Sequence, residues 1–216
     1  MSSRDAILQR IRIELTQGPT VEPPPVPEVW PCESPSTAQM IQRFTSELET
    51  VTGEVIRCDS IRQAAKQLAE LADKEGWSQV AAVDRPDCRE ATAALASERV
   101  VFAPDDWGPK EMGELPVGVL DCDYLVADTG TCVVECNTPA ERLMCYLPPT
   151  SVVVARVGGL REHLPAAWEE IAGRTAEPDR RGEFVLITGP SRTADIEKIL
   201  ILGVHGPKRL VVLLVG

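Results

Sequence analysis

Short apolar blocks along this chain alternate with segments whose apolar residues recur at helical spacing, and that alternation predicts its architecture. Ser2 is placed to cap a first helix through about Leu15, with Ile7, Ile11 and Leu15 on one face at four-residue steps. Residues 17–35 then carry Pro19, Pro23, Pro24, Pro25, Pro27, Pro31 and Pro35, too many for a helix or a central strand, and read as an extended, partly polyproline II tether. From Thr37 the spacing predicts a helix to about Val51, a strand over 53–58, and a helix starting at Asp59 or Ser60. In that helix Ile61, Ala64, Ala65, Leu68 and Leu71 share one stripe. Apolar runs follow at 79–83, 100–103, 117–127, 131–136, 142–147 and 151–157, then a helix over 160–172, a strand over 184–188 and a closing strand over 209–215.

Helices between apolar strands predict an α/β fold in three layers, α/β/α, with a mostly parallel sheet covered on both faces. The close-set runs between 117 and 157 predict a meander inserted in that sheet. The expected organisation is an N-terminal helix over 1–16, a proline-rich linker over 17–35 and one domain over 36–216. A helix on such a tether can reach its own domain or the neighbouring subunit of a homo-oligomer.

The segment from 184 to 206 carries the first candidate chemistry. Gly189-Pro190 forces a turn after the strand, and Ser191 or Thr193 is placed to cap a helix whose first turn would hold Asp195 and Glu197 and whose stop would be Gly203. On that reading the loop gathers free backbone N–H groups and Arg192 into a site for a small anionic ligand, with His205 and Gly206 beside it. The same residues also admit a structural reading, in which Arg192 pairs with Asp195 or Glu197 and His205 only bonds the turn. A second cluster follows the run Tyr124-Leu125-Val126: Asp128, Thr129, Gly130 and Thr131 form a tight polar turn. Glu135 and Arg142, further on, make either an internal ion pair or a carboxylate base with an anion clamp.

Composition narrows the function classes. The 216 residues carry a formal net charge of −11, with Lys and Arg scattered, so a nucleic acid would be repelled over most of the surface. The polar N-terminus leads into no apolar core of a signal peptide, and no stretch approaches a membrane span, so a cytoplasmic location is expected. Seven cysteines, at 32, 58, 88, 122, 132, 136 and 145, are an odd set without the spacing of an iron–sulfur or zinc motif. Cys132 and Cys136, four apart in a strand, would sit roughly 13 Å from each other, too far to share an ion. The cysteines read as buried apolar residues, and no metal site is expected.

Several of these residues together resemble the LUD-domain family, in particular its lactate utilization protein C (LutC/YkgG) subgroup. They are Ser3-Arg4-Asp5-Ala6-Ile7-Leu8, Ala127-Asp128-Thr129-Gly130-Thr131, Arg142-Leu143 with Leu147-Pro148-Pro149, and above all 189–197 with Gly203-Val204-His205-Gly206-Pro207. The resemblance is strongest beyond residue 117. It implies a NagB/RpiA/CoA-transferase-like fold and a part in oxidising L-lactate to pyruvate beside iron–sulfur partner proteins. This chain would be the cluster-free component, with no cofactor of its own. The resemblance carries over no catalytic residue; Glu135 and His205 are the candidates by chemistry. The ligand-binding candidates are Asp128, Thr129, Gly130, Thr131, Arg142, Ser191, Arg192, Thr193 and Gly206. The alternative is a stand-alone enzyme on the same fold, acting on a phosphorylated sugar, a folate or a CoA thioester. Its five lysines, at 66, 74, 110, 198 and 208, lie away from both clusters, and no glycine-rich phosphate loop is evident.

Overall fold

The computed structural model describes residues 3–17, 33–175, 183–194, 200–202 and 206–216. The chain divides into two units, Met1–Pro31 and Cys32–Gly216. The first is described through α1 (Ser3–Gln17), along which Ile7, Leu8, Ile11 and Ile13 are exposed. Most of the proline-rich stretch lies outside the described residues. No described helix is long and apolar enough to cross a membrane.

The second unit opens with α2 (Thr37–Thr50). Ser36 caps it in a reciprocal arrangement with Gln39, and Ile41, Phe44 and Leu48 turn one face into the core. β1 (Glu54–Cys58) and α3 (Ile61–Lys74) follow, α3 capped by Ser60 as its sequence predicts. β2 (Val80–Ala82), α4 (Pro86–Thr92), β3 (Val100–Phe102), α5 (Pro109–Gly113) and β4 (Val117–Asp121) complete the first half. α4 and α5 have no counterpart in the apolar pattern. Each is short and starts on a proline at its first position, and that proline was the available signal.

Six parallel strands make the main sheet, in the order β1-β12-β7-β4-β2-β3, where β7 is Thr150–Arg156 and β12 is Arg209–Val215. β2, β4, β7 and β12 are buried along nearly their whole length rather than at alternate residues, as strands covered on both faces are. α3 and α4 pack together and on this sheet, while α6 (Pro139–Tyr146) packs on β4. The α/β class and the mostly parallel, layered sheet expected from the sequence are therefore present.

The meander differs from expectation. The run 117–127 breaks at Cys122-Asp123 into β4 and β5 (Tyr124–Val126), which join different sheets. β5, β6 (Thr131–Cys136), β8 (Leu160–Arg161) and β9 (Glu183–Ile187) form a separate four-stranded sheet, ordered β8-β5-β6-β9. Leu125, Cys132, Val134 and Val185 of this sheet enter the main core. Tyr124, Val126 and Val133, on its other face, pack on Ala167 and Ile171 of α7 (Leu164–Thr175). The run 142–147 is helical, in α6, because Thr138 accepts a hydrogen bond from the Glu141 N–H and Pro139 starts the turn. α7 begins at Leu164 rather than 160, since Leu160 and Arg161 pair with β5.

The helix expected after Gly189-Pro190 is replaced by strands. β10 (Arg192–Ala194) pairs antiparallel with β11 (Leu200–Leu202), register Arg192 to Leu202. Asp195, Glu197, Gly203 and His205 lie outside the described residues. The helix N-terminus proposed for an anion is thus not formed at Arg192, and the Ser191 N–H is occupied by the Pro207 carbonyl at 2.8 Å.

Candidate functional site

Two glycines fold the 189–206 motif into one wall of a cleft. Gly189 has φ +105°, and a Cβ there would meet Val51 Cγ2 at 2.8 Å, so the turn after β9 closes on the end of α2 only with glycine. A Cβ on Gly206 would stand 2.9 Å from that of Ser191, which sets those two residues side by side. Ser191, Gly206 and Pro207 then face Tyr146 at the end of α6, Ser151 near the start of β7, and Val185 to Thr188 along β9. The cleft encloses about 230 Å³. Its lining carries hydroxyls, apolar groups and Cys145, and no Asp, Glu, Lys, Arg or His among the described residues.

The Asp128 turn adjoins this wall through hydroxyls. Thr129 Oγ1 lies 2.8 Å from Thr131 Oγ1, which lies 2.7 Å from Thr188 Oγ1, the residue before Gly189. Gly130, at φ +62°, lets the turn press against α2: a Cβ would fall 2.5 Å from the Leu48 nitrogen. The Asp128 N–H donates to the Glu162 carbonyl at 3.1 Å, and Asp128 Oδ1 is buried without a hydrogen-bond partner. Burial raises the Asp128 carboxyl above its usual range, against the pull of Arg43 and His163.

The other candidates stand apart from the cleft. Glu135 is 3% exposed and meets Arg174 of α7, Oε2 to Nη2, at 3.0 Å, so its partner is not Arg142. Arg142 Nη1 instead lies 3.0 Å from Glu183 Oε2, with both side chains about half exposed. Arg192 is exposed on β10, and Thr193 lies opposite Ile201 in the same ladder. The structure therefore brings together Ser191 and Gly206, links them to Thr129 and Thr131 through Thr188, and separates Glu135 and Arg142 from them.

Sequence reasoning missed a second cluster, at the carboxyl ends of the parallel strands. From β2 the chain moves outward to β3, whereas from β4 it moves the other way to β7, so the crevice between β2 and β4 is the topological switch point. Arg85, just beyond β2, fills it. Its guanidinium reaches Asp121 Oδ1 at 3.2 Å and Glu141 Oε2 at 2.9 Å, and donates to the Glu135 carbonyl. Desolvation works against the Arg85 charge, but Asp121 and Glu141 outweigh it and hold the group protonated. Burial holds the Asp121 carboxyl above its usual range despite Arg85. A cavity of about 330 Å³ opens beside them, lined by Asp84, Asp105 and Glu141 with Val83, Ala103 and Pro104. The signal in the sequence was Asp84-Arg85-Pro86, directly after a buried strand and directly before a helix.

A doubly covered parallel sheet, a second sheet that shares its core and clefts at the strand ends define a layered α/β protein. The chain belongs to the LUD domain family, whose model matches residues 41–215. Its curated relatives place it with the lactate utilization protein C and YkgG subgroup. It is 33% identical over 98 residues to lactate utilization protein C of Bacillus pumilus, covering 45% of this chain and 41% of that one. Over 100 residues it is 30% identical to YkgG of Escherichia coli, covering 46% and 43%. With lactate utilization protein C of Bacillus subtilis it shares 29% over 108 residues, covering 50% and 45%. The chain thus spans less than half the length of these relatives. A solved structure of a DUF162 family protein from Deinococcus radiodurans has the same fold, with a TM-score of 0.62 at 18% identity, covering 84% of this chain and 99% of that one.

Proposed function

We propose that this chain is the cluster-free component of a lactate utilization system, acting beside iron–sulfur partner proteins that oxidise L-lactate to pyruvate. The observation that carries this reading is the kinship with relatives named lactate utilization protein C. The cysteines support the division of labour. Burial pushes the Cys58 and Cys88 thiols up, and contact with Cys132 and Cys136, together with burial, does the same for Cys122 and Cys145. Each of these environments favours the uncharged thiol, as for a cysteine that serves as a small core residue. In this reading the chain contributes a shaped cleft, and its partners carry the electrons.

The test is reconstitution. The chain is co-expressed with candidate iron–sulfur partners of the same genome, purified, and assayed for lactate-dependent reduction of an electron acceptor with and without it. Co-purification and a rate that depends on this chain are expected; no association and no change in rate overturn the proposal.

A second reading, a stand-alone enzyme on a phosphorylated sugar, a folate or a CoA thioester, is favoured by the switch-point crevice, where Asp121 is held up by burial beside Arg85 and Glu141. Turnover of such a substrate by the chain alone, abolished in Asp121→Asn with the fold intact, is its test.

A further inference from the structure

Ser151 is the second residue of β7 and lies in register with Gly118 of β4 and Leu210 of β12. It is 1% exposed, it lines the cleft beside Ser191 and Gly206, and its Oγ has no hydrogen-bond partner. Buried hydroxyls in folded proteins are nearly always paired, so an orphan at the floor of an open cleft marks the place where a ligand atom completes the bond. Three further observations describe that ligand. The surrounding lining is apolar near the floor, through Val185, Ile187 and Leu210. None of the described lining side chains is charged, so these walls offer a charged molecule no counter-charge for the hydration it gives up against them. The volume of about 230 Å³ falls below the usual range for drug-sized ligands and suits one ring with a small substituent.

We infer that this cleft binds a neutral, compact carbonyl compound, a planar ring or its equivalent in size. The carbonyl oxygen accepts a hydrogen bond from Ser151 Oγ, and the apolar body lies against Val185, Ile187 and Leu210. The inference goes beyond a part in lactate utilization and does not rest on it, because the site is argued from burial, charge and shape alone.

Benzamide serves as the neutral probe and benzoate as its anionic counterpart, each titrated into the full chain and followed by ligand-observed NMR. Benzamide is expected to bind with a Kd on the order of 1–10 mM, as suits so small a ligand, and benzoate at least several-fold more weakly. In Ser151→Ala the benzamide affinity falls about five-fold, the loss of one neutral hydrogen bond. The Tm of that variant stays equal to or rises above the wild-type value, because no internal bond is removed. Ser151→Thr, which keeps the hydroxyl but fills the floor, weakens benzamide as well and preserves the preference over benzoate. Absence of benzamide binding, benzoate binding as well as benzamide, or unchanged benzamide affinity in Ser151→Ala would each overturn the proposal. So would a Tm loss of several degrees in Ser151→Ala, which would mean that the hydroxyl already serves the fold.

Discussion

Glu135 on β6 and Arg174 on α7 meet at 3.0 Å, and the same guanidinium holds Asp123 Oδ1 at 2.8 Å. The second carboxyl oxygen of Asp123 accepts the backbone N–H of Glu135 at 2.9 Å. One arginine thus ties α7 to β6 and to the residue that leads into β5. Glu135 is nearly fully buried there, so its role in this structure is to anchor α7.

Arg174→Ala leaves the Glu135 carboxylate buried without its guanidinium partner, and a broken buried pair of this kind costs about 3 kcal/mol. Urea unfolding followed by circular dichroism is expected to show that loss, with part of it recovered in the double variant Arg174→Met, Glu135→Gln. A wild-type midpoint in Arg174→Ala would refute the anchoring role.

Gly130 and Gly76 separate two costs of adding a methyl group. Both have positive φ, +62° and +68°, but a Cβ at Gly76 meets nothing within 4 Å while one at Gly130 runs into the backbone of Leu48. Gly76→Ala is expected to cost about 1 kcal/mol, the penalty of the left-handed backbone alone. Gly130→Ala should cost at least about twice that and shift α2 away from the Asp128 turn. Equal losses in chemical denaturation would show that the contact with α2 gives way freely.

Arg209 makes a forked pair with Glu54, at 2.6 and 2.8 Å, and also reaches Glu75 at 3.0 Å. The hydrogen bond from Arg209 holds the Glu54 carboxyl below its usual range. A depressed carboxyl stabilises the fold above the unfolded value of about 4.3, and that contribution is lost as pH falls through the lower folded value. Glu54→Gln should therefore be less stable than wild type by about 0.5–1 kcal/mol at pH 7, as befits a half-exposed pair, with the gap closing below about pH 4. Thermal melts across pH 3–7 read this directly; a gap that widens in acid contradicts it.

Cys136 and Cys145 lie with their sulfurs 3.7 Å apart inside the core, and Cys88 is also buried. Their expected behaviour is inertness: the native chain at pH 8 should leave Cys88, Cys136 and Cys145 unlabelled by DTNB over the time in which added urea exposes all three. Peptide mass spectrometry assigns the labels, and rapid native labelling of Cys145 would show that the cleft admits reagent to its sulfur.

What the sequence disclosed, and what it hid, follows the distance over which each feature is decided. The cap Ser60, the stripe Ile61 to Leu71 and the buried run of β12 are local patterns, and each element appears where its residues place it. The loop after β9 was read from Asp195 and Glu197 as the first turn of a helix, yet Arg192–Ala194 pairs with Leu200–Leu202, a decision made across the hairpin. The Arg85 cluster was invisible for the same reason: its partners Asp121 and Glu141 stand 36 and 56 residues away. The motif around Gly189 and Gly206 announced a ligand loop, but the orphan hydroxyl of Ser151 on another strand became visible only when the chain was folded.

The position of β12 has a consequence for how this protein comes into being. Among the described residues β12 is the only neighbour of β1 in the parallel sheet, and it also flanks β7. A strand formed early therefore waits for one emerging more than 150 residues later. Until synthesis has passed Val215, a growing chain carries an open slot between β1 and β7, with two rows of backbone groups awaiting a partner. The order of assembly thus runs against the order of synthesis, and the interval before the slot closes is when a stray apolar strand competes for it.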